Sequence, residues 1–216
     1  MTTPGRVVND LFQLPEAPLL PLRFNIAPTQ PVASVRKTAD QGKRELVALH
    51  WGLIPSWAKD RKIGYGMINA RAETAATKPA FRSPFRNRRC LVAADGFYEW
   101  QKTGGKKQPY YFRLTDGQPF GFAGLWDRWE SPDGELVESV TILTTEANEL
   151  LRPLHERMPV ILEPKEYDLW LDPSVRKPEL VQPLLRPYRS EAMTAYPVSP
   201  WVNDARHDDP RCVQPL

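Results

Sequence analysis

One segment of the chain places a carboxylate between two aromatic side chains. It runs from Ala94 to Trp100, and Glu99 stands in it between Tyr98 and Trp100. Aromatic neighbours shield a carboxylate from water, which raises its pKa towards the range that a general acid or base needs. Glu99 is therefore a candidate proton-transfer group. An ordinary outward-facing strand residue would show the same pattern.

Two further polar groups are candidates for the same kind of site. Asn69, Arg71 and Glu73 alternate along the chain and would share one side of an extended segment. They could bind a polar substrate, although a salt bridge between Arg71 and Glu73 explains the spacing equally well. His155 follows a short predicted helix, where a histidine is either a partner of the helix dipole or an acid-base group.

Aromatic and basic residues add features that nucleic-acid binding requires. Trp51 and Trp57 flank a loop, and we expect Trp51 in the core and Trp57 either in the core or at the surface as a stacking platform for bases. From residue 82 to residue 113, eight basic residues against two acidic ones give a local charge of +6, whereas the whole chain carries +3. Such a block is either a solvated face or a polyanion site.

Several classes of protein are disfavoured by composition. The three histidines are widely separated, the two cysteines are 122 positions apart, and no glycine-rich phosphate loop follows a strand. We therefore expect neither a metal nor a nucleotide cofactor. No apolar run approaches the roughly 20 residues of a membrane span, and the first residues do not resemble an export signal. Two cysteines suit a reducing compartment, so we expect a cytoplasmic protein.

The elements that must position these residues form an α+β pattern. A length of 216 residues is enough for one well-buried core. We expect a single domain over 1–216, with a curved, mostly antiparallel, barrel-like β-sheet and peripheral helices. Strands are predicted at 32–36, 46–51, 91–100, 110–114, 120–126 and 137–144, with a last extended piece at 195–199. Helices are predicted at 4–12, 146–151, 165–171 and 179–185, the first capped by Thr3 with Pro4 at its first helical position.

Five segments, taken in order, give the chain a specific resemblance. They are residues 23–28 (RFNIAP), 51–57 (WGLIPSW), 69–74 (NARAET), 95–100 (DGFYEW) and 155–159 (HERMP). Together they resemble the SOS response-associated peptidase (SRAP) family, and the resemblance extends from about residue 3 to residue 216. It implies the family's fold for the whole domain.

The resemblance also implies a function. Members of the family sense abasic sites in single-stranded DNA, and an N-terminal cysteine links them covalently to the ring-opened aldehyde through a thiazolidine. The implied partner is single-stranded DNA that contains abasic sites, bound by a monomer at the nucleoid during the response to DNA damage. The family's roles transfer as follows: Asn69 orients the open sugar, Glu99 and His155 move protons, Arg71 and Arg82 contact phosphates, and Pro28, Trp57 and Trp100 form apolar platforms for bases.

The first residues depart from the family pattern. The family begins Met-Cys-Gly-Arg followed by a short strand, whereas this sequence begins Met1-Thr2-Thr3-Pro4. We consider three explanations: the true start lies upstream, the chain retains DNA binding alone, or the amine of Thr2 forms an imine and a weaker oxazolidine. Cys90 and Cys212 could not close a thiazolidine, because their nitrogens are amides.

Three rival functions remain open at this stage. The first is a single-stranded DNA binding module without catalysis, which would show the same basic and aromatic residues. The second is a cysteine peptidase, which would need a thiol near His155, although Cys90 precedes a buried strand and looks like a core residue. The third is a glycosidase that pairs Glu99 with Glu73 or Asp95.

Overall fold

The computed structural model describes residues 1–38 and 42–216. Within them, the helices are short and the strands carry the fold. The helices are α1 (Gly5–Phe12), α2 (Ala72–Ala75), α3 (Arg82–Asn87), α4 (Tyr167–Leu171) and α5 (Pro178–Val181). The strands are β1 (Pro31–Lys37), β2 (Arg44–Trp51), β3 (Asn69–Arg71), β4 (Arg89–Ala94), β5 (Phe97–Thr103), β6 (Lys106–Leu114), β7 (Phe120–Glu130), β8 (Leu136–Glu146), β9 (Arg157–Pro159), β10 (Ile161–Leu162) and β11 (Met193–Pro197).

Five of the strands close into a barrel. The circuit runs β7, β4, β1, β2, β8 and back to β7, and the short strands β3, β9 and β10 attach to its members. The pairs are antiparallel except those of β8 with β2 and with β3, which are parallel. The expected α+β fold with a curved, mostly antiparallel, barrel-like sheet is thus confirmed.

The remaining strands form a second, three-stranded sheet in the order β11, β6, β5. The single strand predicted at 91–100 is wrong, because the chain leaves the barrel at Asp95 and Gly96 and enters the second sheet as β5. A Cβ atom at Gly96 would lie 2.4 Å from the carbonyl oxygen of Phe112, so the backbones approach more closely there than a side chain would permit. This break moves Glu99 out of the barrel wall.

Aromatic packing joins the two sheets. Phe97 of β5 stacks on Phe112 of β6 at 5.2 Å between ring centroids, and its edge meets Phe122 of the barrel strand β7 at 5.8 Å. Pairs of this geometry stabilise packing beyond the area they bury. The seam between barrel and second sheet is therefore a fixed contact.

The helical predictions are partly confirmed. α1 forms as expected, with Val8 and Phe12 fully buried, but Thr3 does not cap it, since the Thr3 hydroxyl donates to Asp95 at 2.6 Å. The predictions at 165–171 and 179–185 correspond to α4 and α5, each joined to a turn of 3-10 helix. The helix predicted at 146–151 is wrong, because β8 continues to Glu146 and a turn follows it. In the part of the chain that the structure describes, no helix is both long and apolar enough to cross a bilayer.

Candidate functional site

Two adjoining cavities lie at the seam between the barrel and the second sheet. The larger has a volume of about 410 Å³ and a mostly apolar lining, and the smaller has a volume of about 260 Å³. Asn69, Glu99 and Pro159 line both, so the two cavities meet at these residues. Arg71, Thr144, His155, Arg157 and Met158 complete the lining of the smaller one. The predicted group of Asn69, Arg71, Glu99 and His155 is therefore brought together.

Strand β3 positions Asn69 and Arg71. It runs parallel to the end of β8, with Asn69 opposite Ile142 and Arg71 opposite Thr144. Ala70 faces the core between them, while Asn69 and Arg71 are both exposed on the side of the smaller cavity. The period of two along a strand explains why the two polar residues share a face, as their spacing predicts.

Glu99 reaches the cavities from β5, where it pairs with Tyr110 of β6. Burial raises the pKa of the Glu99 carboxyl above its ordinary value, and the nearby His155 and the backbone N–H of Trp100 offset only part of that rise. The direction of the predicted shift is confirmed, and its cause is burial of the carboxyl in the cavity. A raised pKa moves a carboxyl towards the range in which it can both donate and accept a proton.

His155 stands between a turn that ends at Leu154 and strand β9, and not at the end of a helix, so the helix dipole considered above does not act on it. Its imidazole is exposed at the smaller cavity. The Nδ1 atom lies 2.8 Å from the carbonyl oxygen of Arg157 and 3.0 Å from the Arg157 backbone nitrogen. The ring is thus tethered by one nitrogen to the backbone two residues ahead.

Arg157 is a residue of this site that sequence reasoning did not assign. Its guanidinium donates to both carboxylate oxygens of Glu73, at 2.7 and 2.9 Å, and to the carbonyl oxygen of Thr144 at 2.6 Å. Glu73 therefore pairs with Arg157 across the structure, and the salt bridge with Arg71 considered above is wrong. The signal in the sequence was an arginine two residues after a candidate catalytic histidine.

One wall of the larger cavity combines Pro28 and Trp100 with four residues of the segment 202–213, namely Val202, Asn203, Ala205 and Val213. The indole nitrogen of Trp100 donates to the side-chain oxygen of Asn203 at 2.7 Å. The side-chain amide of Asn25 donates to carbonyl oxygens of the same segment, at 3.0 to 3.2 Å from Val202, Asp204 and His207. Residues near the two ends of the sequence therefore build this wall together.

Two predicted DNA contacts lie outside the cavity linings. Trp57 is 59% exposed in the loop after β2, and Arg82 is exposed at the start of α3. Trp51, expected in the core, is partly buried and lines the larger cavity.

The basic block of 82–113 is not one continuous cationic face. It is divided between α3 with the strand that follows it and the β5–β6 hairpin of the second sheet. Arg88 pairs with Asp127, and Arg89 is buried against backbone carbonyls.

The two thiols lie outside the cavity linings. Cys90 and Cys212 are both fully buried, and neither lines either cavity. Burial raises the pKa of the Cys90 thiol, which opposes formation of the reactive thiolate. Among residues 1–38 and 42–216, no group of three or more His, Cys, Asp or Glu side chains could hold a metal ion.

The first residues of the chain lie in the larger cavity. The α-ammonium group of Met1 donates to the carbonyl oxygen of Arg23 and lies 3.8 Å from a carboxylate oxygen of Asp95. Burial lowers the pKa of this ammonium group, with Asp95 opposing the change. The Thr2 hydroxyl also donates to Asp95, at 2.9 Å.

Comparison with known proteins places this arrangement in a family. Residues 2–205 match the family described as SOS response associated peptidase (SRAP). The chain is 44% identical over 202 residues to the abasic site processing protein YoqW of Bacillus subtilis, covering 93% of this chain and 89% of that protein. It is 36% identical to the abasic site processing protein HMCES of Gallus gallus, covering 84% of this chain and 61% of that protein. A crystal structure of a protein from Bacteroides thetaiotaomicron aligns with a TM-score of 0.88 at 31% identity, covering all of this chain and 97% of that one. The chain therefore belongs to the SOS response associated peptidase family.

Proposed function

We propose that this protein recognises abasic sites in single-stranded DNA and forms a covalent link with the ring-opened aldehyde of the lesion. The observation that carries the proposal is the convergence of Asn69, Glu99 and His155, from three separate segments, on one cavity that also contains Arg71 and Arg157. The names of the relatives support the choice of lesion, since YoqW and HMCES are abasic site processing proteins.

The link requires an amine and groups that transfer protons. The α-amine at the N-terminus adds to the aldehyde carbon, and His155 takes the proton that the attacking nitrogen loses and passes it to the former aldehyde oxygen, which gives a carbinolamine. The Glu99 carboxyl then donates a proton to the hydroxyl of the carbinolamine, which leaves as water, and the Glu99 carboxylate takes the proton that remains on the nitrogen. The product is an imine, and the thiol of a 1,2-aminothiol would add to its carbon, pass its proton to the nitrogen and so close a thiazolidine. The Asn69 carboxamide binds the hydroxyl groups of the open sugar.

The surroundings of the cavity suit a single strand whose bases are splayed apart. Arg71 stands beside the proposed reaction centre, where it binds the phosphate next to the lesion. Pro28 and Trp100 offer apolar surfaces in the larger cavity for a neighbouring base. Arg82 and Trp57 would contact the strand farther from the lesion.

A binding module without covalent chemistry is the second candidate. The observation in its favour is that both thiols are buried away from the cavities. Neither Cys90 nor Cys212 could close a thiazolidine, because each backbone nitrogen belongs to a peptide bond. In this alternative, the same residues bind an abasic strand and release it unchanged.

The test is an adduct assay on a single-stranded oligonucleotide with one abasic site. The protein is incubated with it, with and without borohydride, and resolved on a denaturing gel. A version extended at its N-terminus by Met-Cys-Gly-Arg and a strand is run beside it, and an intact oligonucleotide is the control. We expect an adduct to form with the abasic oligonucleotide and not with the intact one. Glu99→Gln should form this adduct about 100-fold more slowly. Absence of adduct from both versions would overturn the covalent proposal and leave the binding module.

The peptidase alternative is separated by alkylation. If Cys90 or Cys212 were a nucleophile, iodoacetamide would abolish activity in the native protein. Because both thiols are buried, we expect the native protein to keep its DNA activity after treatment and both thiols to react after unfolding.

A further inference from the structure

We propose that Glu73 is a positioning residue, which holds the His155 imidazole in place through the guanidinium and backbone of Arg157. The kinetic consequence of this proposal rests on the function proposed above, whereas its structural content does not. Glu73 lines neither cavity, so it is not positioned to contact a lesion bound there.

The ion pair of Glu73 with Arg157 connects β9 to the end of β3 across the strand β8. Arg157 lies on β9, which pairs with one side of β8, while β3 pairs with the other side and continues into α2, where Glu73 stands. The Arg157 side chain crosses β8, donating to the Thr144 carbonyl oxygen on the way, and ends in a two-pronged contact with Glu73. Two parallel N–H···O bonds fix the orientation of a guanidinium as well as its position.

This arrangement ties two parts of the site to each other. The segment that carries His155 leads directly into β9, and the segment that carries Asn69 is β3 itself. The Glu73–Arg157 contact therefore sets the spacing between the imidazole and the Asn69 carboxamide. The Arg157 hydrogen bonds lower the pKa of the Glu73 carboxyl, which keeps the pair charged at neutral pH.

The backbone of Arg157 serves His155 in both of its protonation states. When the ring is neutral, Nδ1–H donates to the Arg157 carbonyl oxygen, 2.8 Å away, and the lone pair of Nε2 is free to accept a proton. When the ring is protonated, Nδ1–H keeps this hydrogen bond and Nε2–H can return the proton. Nε2 is left free for substrate in either state, so fixing Arg157 fixes the ring nitrogen that exchanges the proton.

The pair is suited to this role more than to stabilising the fold. The Glu73 side chain is 52% exposed, and an exposed ion pair contributes about 1 kcal/mol or less to folding. We therefore expect Glu73→Gln to fold normally. Glu156→Gln is the matched control, because it makes the same charge change next to His155 at a side chain for which the described residues provide no ion pair.

The test combines a spectrum with a rate. The ¹⁵N shifts of the imidazole nitrogens report the tautomer of His155, assigned with His155→Gln, at a pH where the ring is neutral. We expect one tautomer, protonated on Nδ1, in the unaltered protein and in Glu156→Gln, and a mixture of tautomers in Glu73→Gln and in Arg157→Gln. The double variant should match the single variants, because each removes the same contact.

The adduct assay supplies the rate. We expect Glu73→Gln to react about 10-fold more slowly with a saturating abasic strand, which is a fraction of what a whole proton-transfer group contributes. Binding of an intact strand should not weaken. An unchanged imidazole spectrum in Glu73→Gln would overturn the positioning role, whatever the rate. Failure of the unaltered protein and its extended version to form any adduct, with the spectral change present, would instead overturn the function proposed above.

Discussion

Glu99 and His155 face the same cavity from two different sheets. Glu99 belongs to β5 of the three-stranded sheet, and His155 precedes β9 at the edge of the barrel. Their separation therefore depends on how the sheets pack, which the contacts of Phe97 with Phe112 and Phe122 determine. The proposed acid and base are aligned by tertiary packing and not by a shared element.

The first prediction concerns the cost of burying Glu99. Its pKa in the folded protein lies above the unfolded value, so the folded state binds more protons between the two pKa values. The contribution of Glu99 to the free energy of unfolding therefore falls as the pH rises from its pKa in the unfolded state through its pKa in the folded state. We expect Glu99→Gln to melt about 2 °C higher than the unaltered protein at pH 8, with a smaller difference at pH 4.

Thermal melts at both pH values check this prediction, with the exposed Glu149→Gln as control. Equal melting temperatures at pH 8, or a less stable Glu99→Gln, would mean that burial does not penalise the charged carboxylate. A stabilised variant that also reacts slowly would show that the site retains a destabilising group for its chemistry.

The second prediction compares Arg71 with Arg82. Arg71 lines the smaller cavity, and Arg82 is exposed at α3 outside both linings. Removing one phosphate contact lowers the slope of log affinity against log salt by about 0.7 for a single strand. We expect Arg71→Ala to show this loss with short abasic oligonucleotides, and Arg82→Ala to show it only with longer ones. Equal losses at every length would contradict the placement of Arg71 beside the lesion.

The third prediction concerns Trp57. Its indole is 59% exposed, so Trp57→Ala should leave the melting temperature nearly unchanged. If a base stacks on it, the substitution should weaken single-strand binding by about 1 to 3 kcal/mol. Fluorescence titration with intact oligonucleotides measures this directly. An unchanged affinity would remove Trp57 from the set of DNA contacts.

The fourth prediction concerns the buried Arg89. Its guanidinium donates to the carbonyl oxygens of Phe85 and Arg86 near the end of α3, and of Trp170 and Asp172 at the end of α4. Arg89→Leu leaves these carbonyls unsatisfied and should cost about 3 kcal/mol or more of folding free energy. Urea unfolding, with the exposed Arg86→Leu as control, checks the difference. Equal losses in the two variants would contradict it.

The sequence predicts most barrel strands because alternating apolar residues and the glycine turns between them are local signals. The break at Asp95 and Gly96 does have a local signal, because an Asp-Gly pair is typical of turns, but the β-rich residues on either side of it were predicted as one strand. A tertiary contact fixes the break: the backbone of Gly96 approaches Phe112 on a strand that comes later in the chain.

The false helix at 146–151 is explained by one local and one long-range hydrogen bond of the Asn148 side chain. The side-chain oxygen of Asn148 accepts from the Leu151 N–H at 3.0 Å, and its amide donates to the Tyr188 carbonyl oxygen at 2.8 Å. Such side-chain to backbone bonds compete with helix formation.

The grouping of Asn69, Arg71, Glu99 and His155 could be expected from the family resemblance. The part of Glu73 and Arg157 could not, because their contact crosses 84 positions of the sequence.

The hydrogen bonds between Asn25 and the segment 202–213 have a consequence for synthesis on the ribosome. The last barrel strand of the circuit, β8, ends at Glu146, so the barrel can close while the segment 202–213 is still untranslated. During that interval the Asn25 side-chain amide lacks its three carbonyl partners. A nascent chain can therefore close its barrel before residues 202–213 complete the wall of the larger cavity.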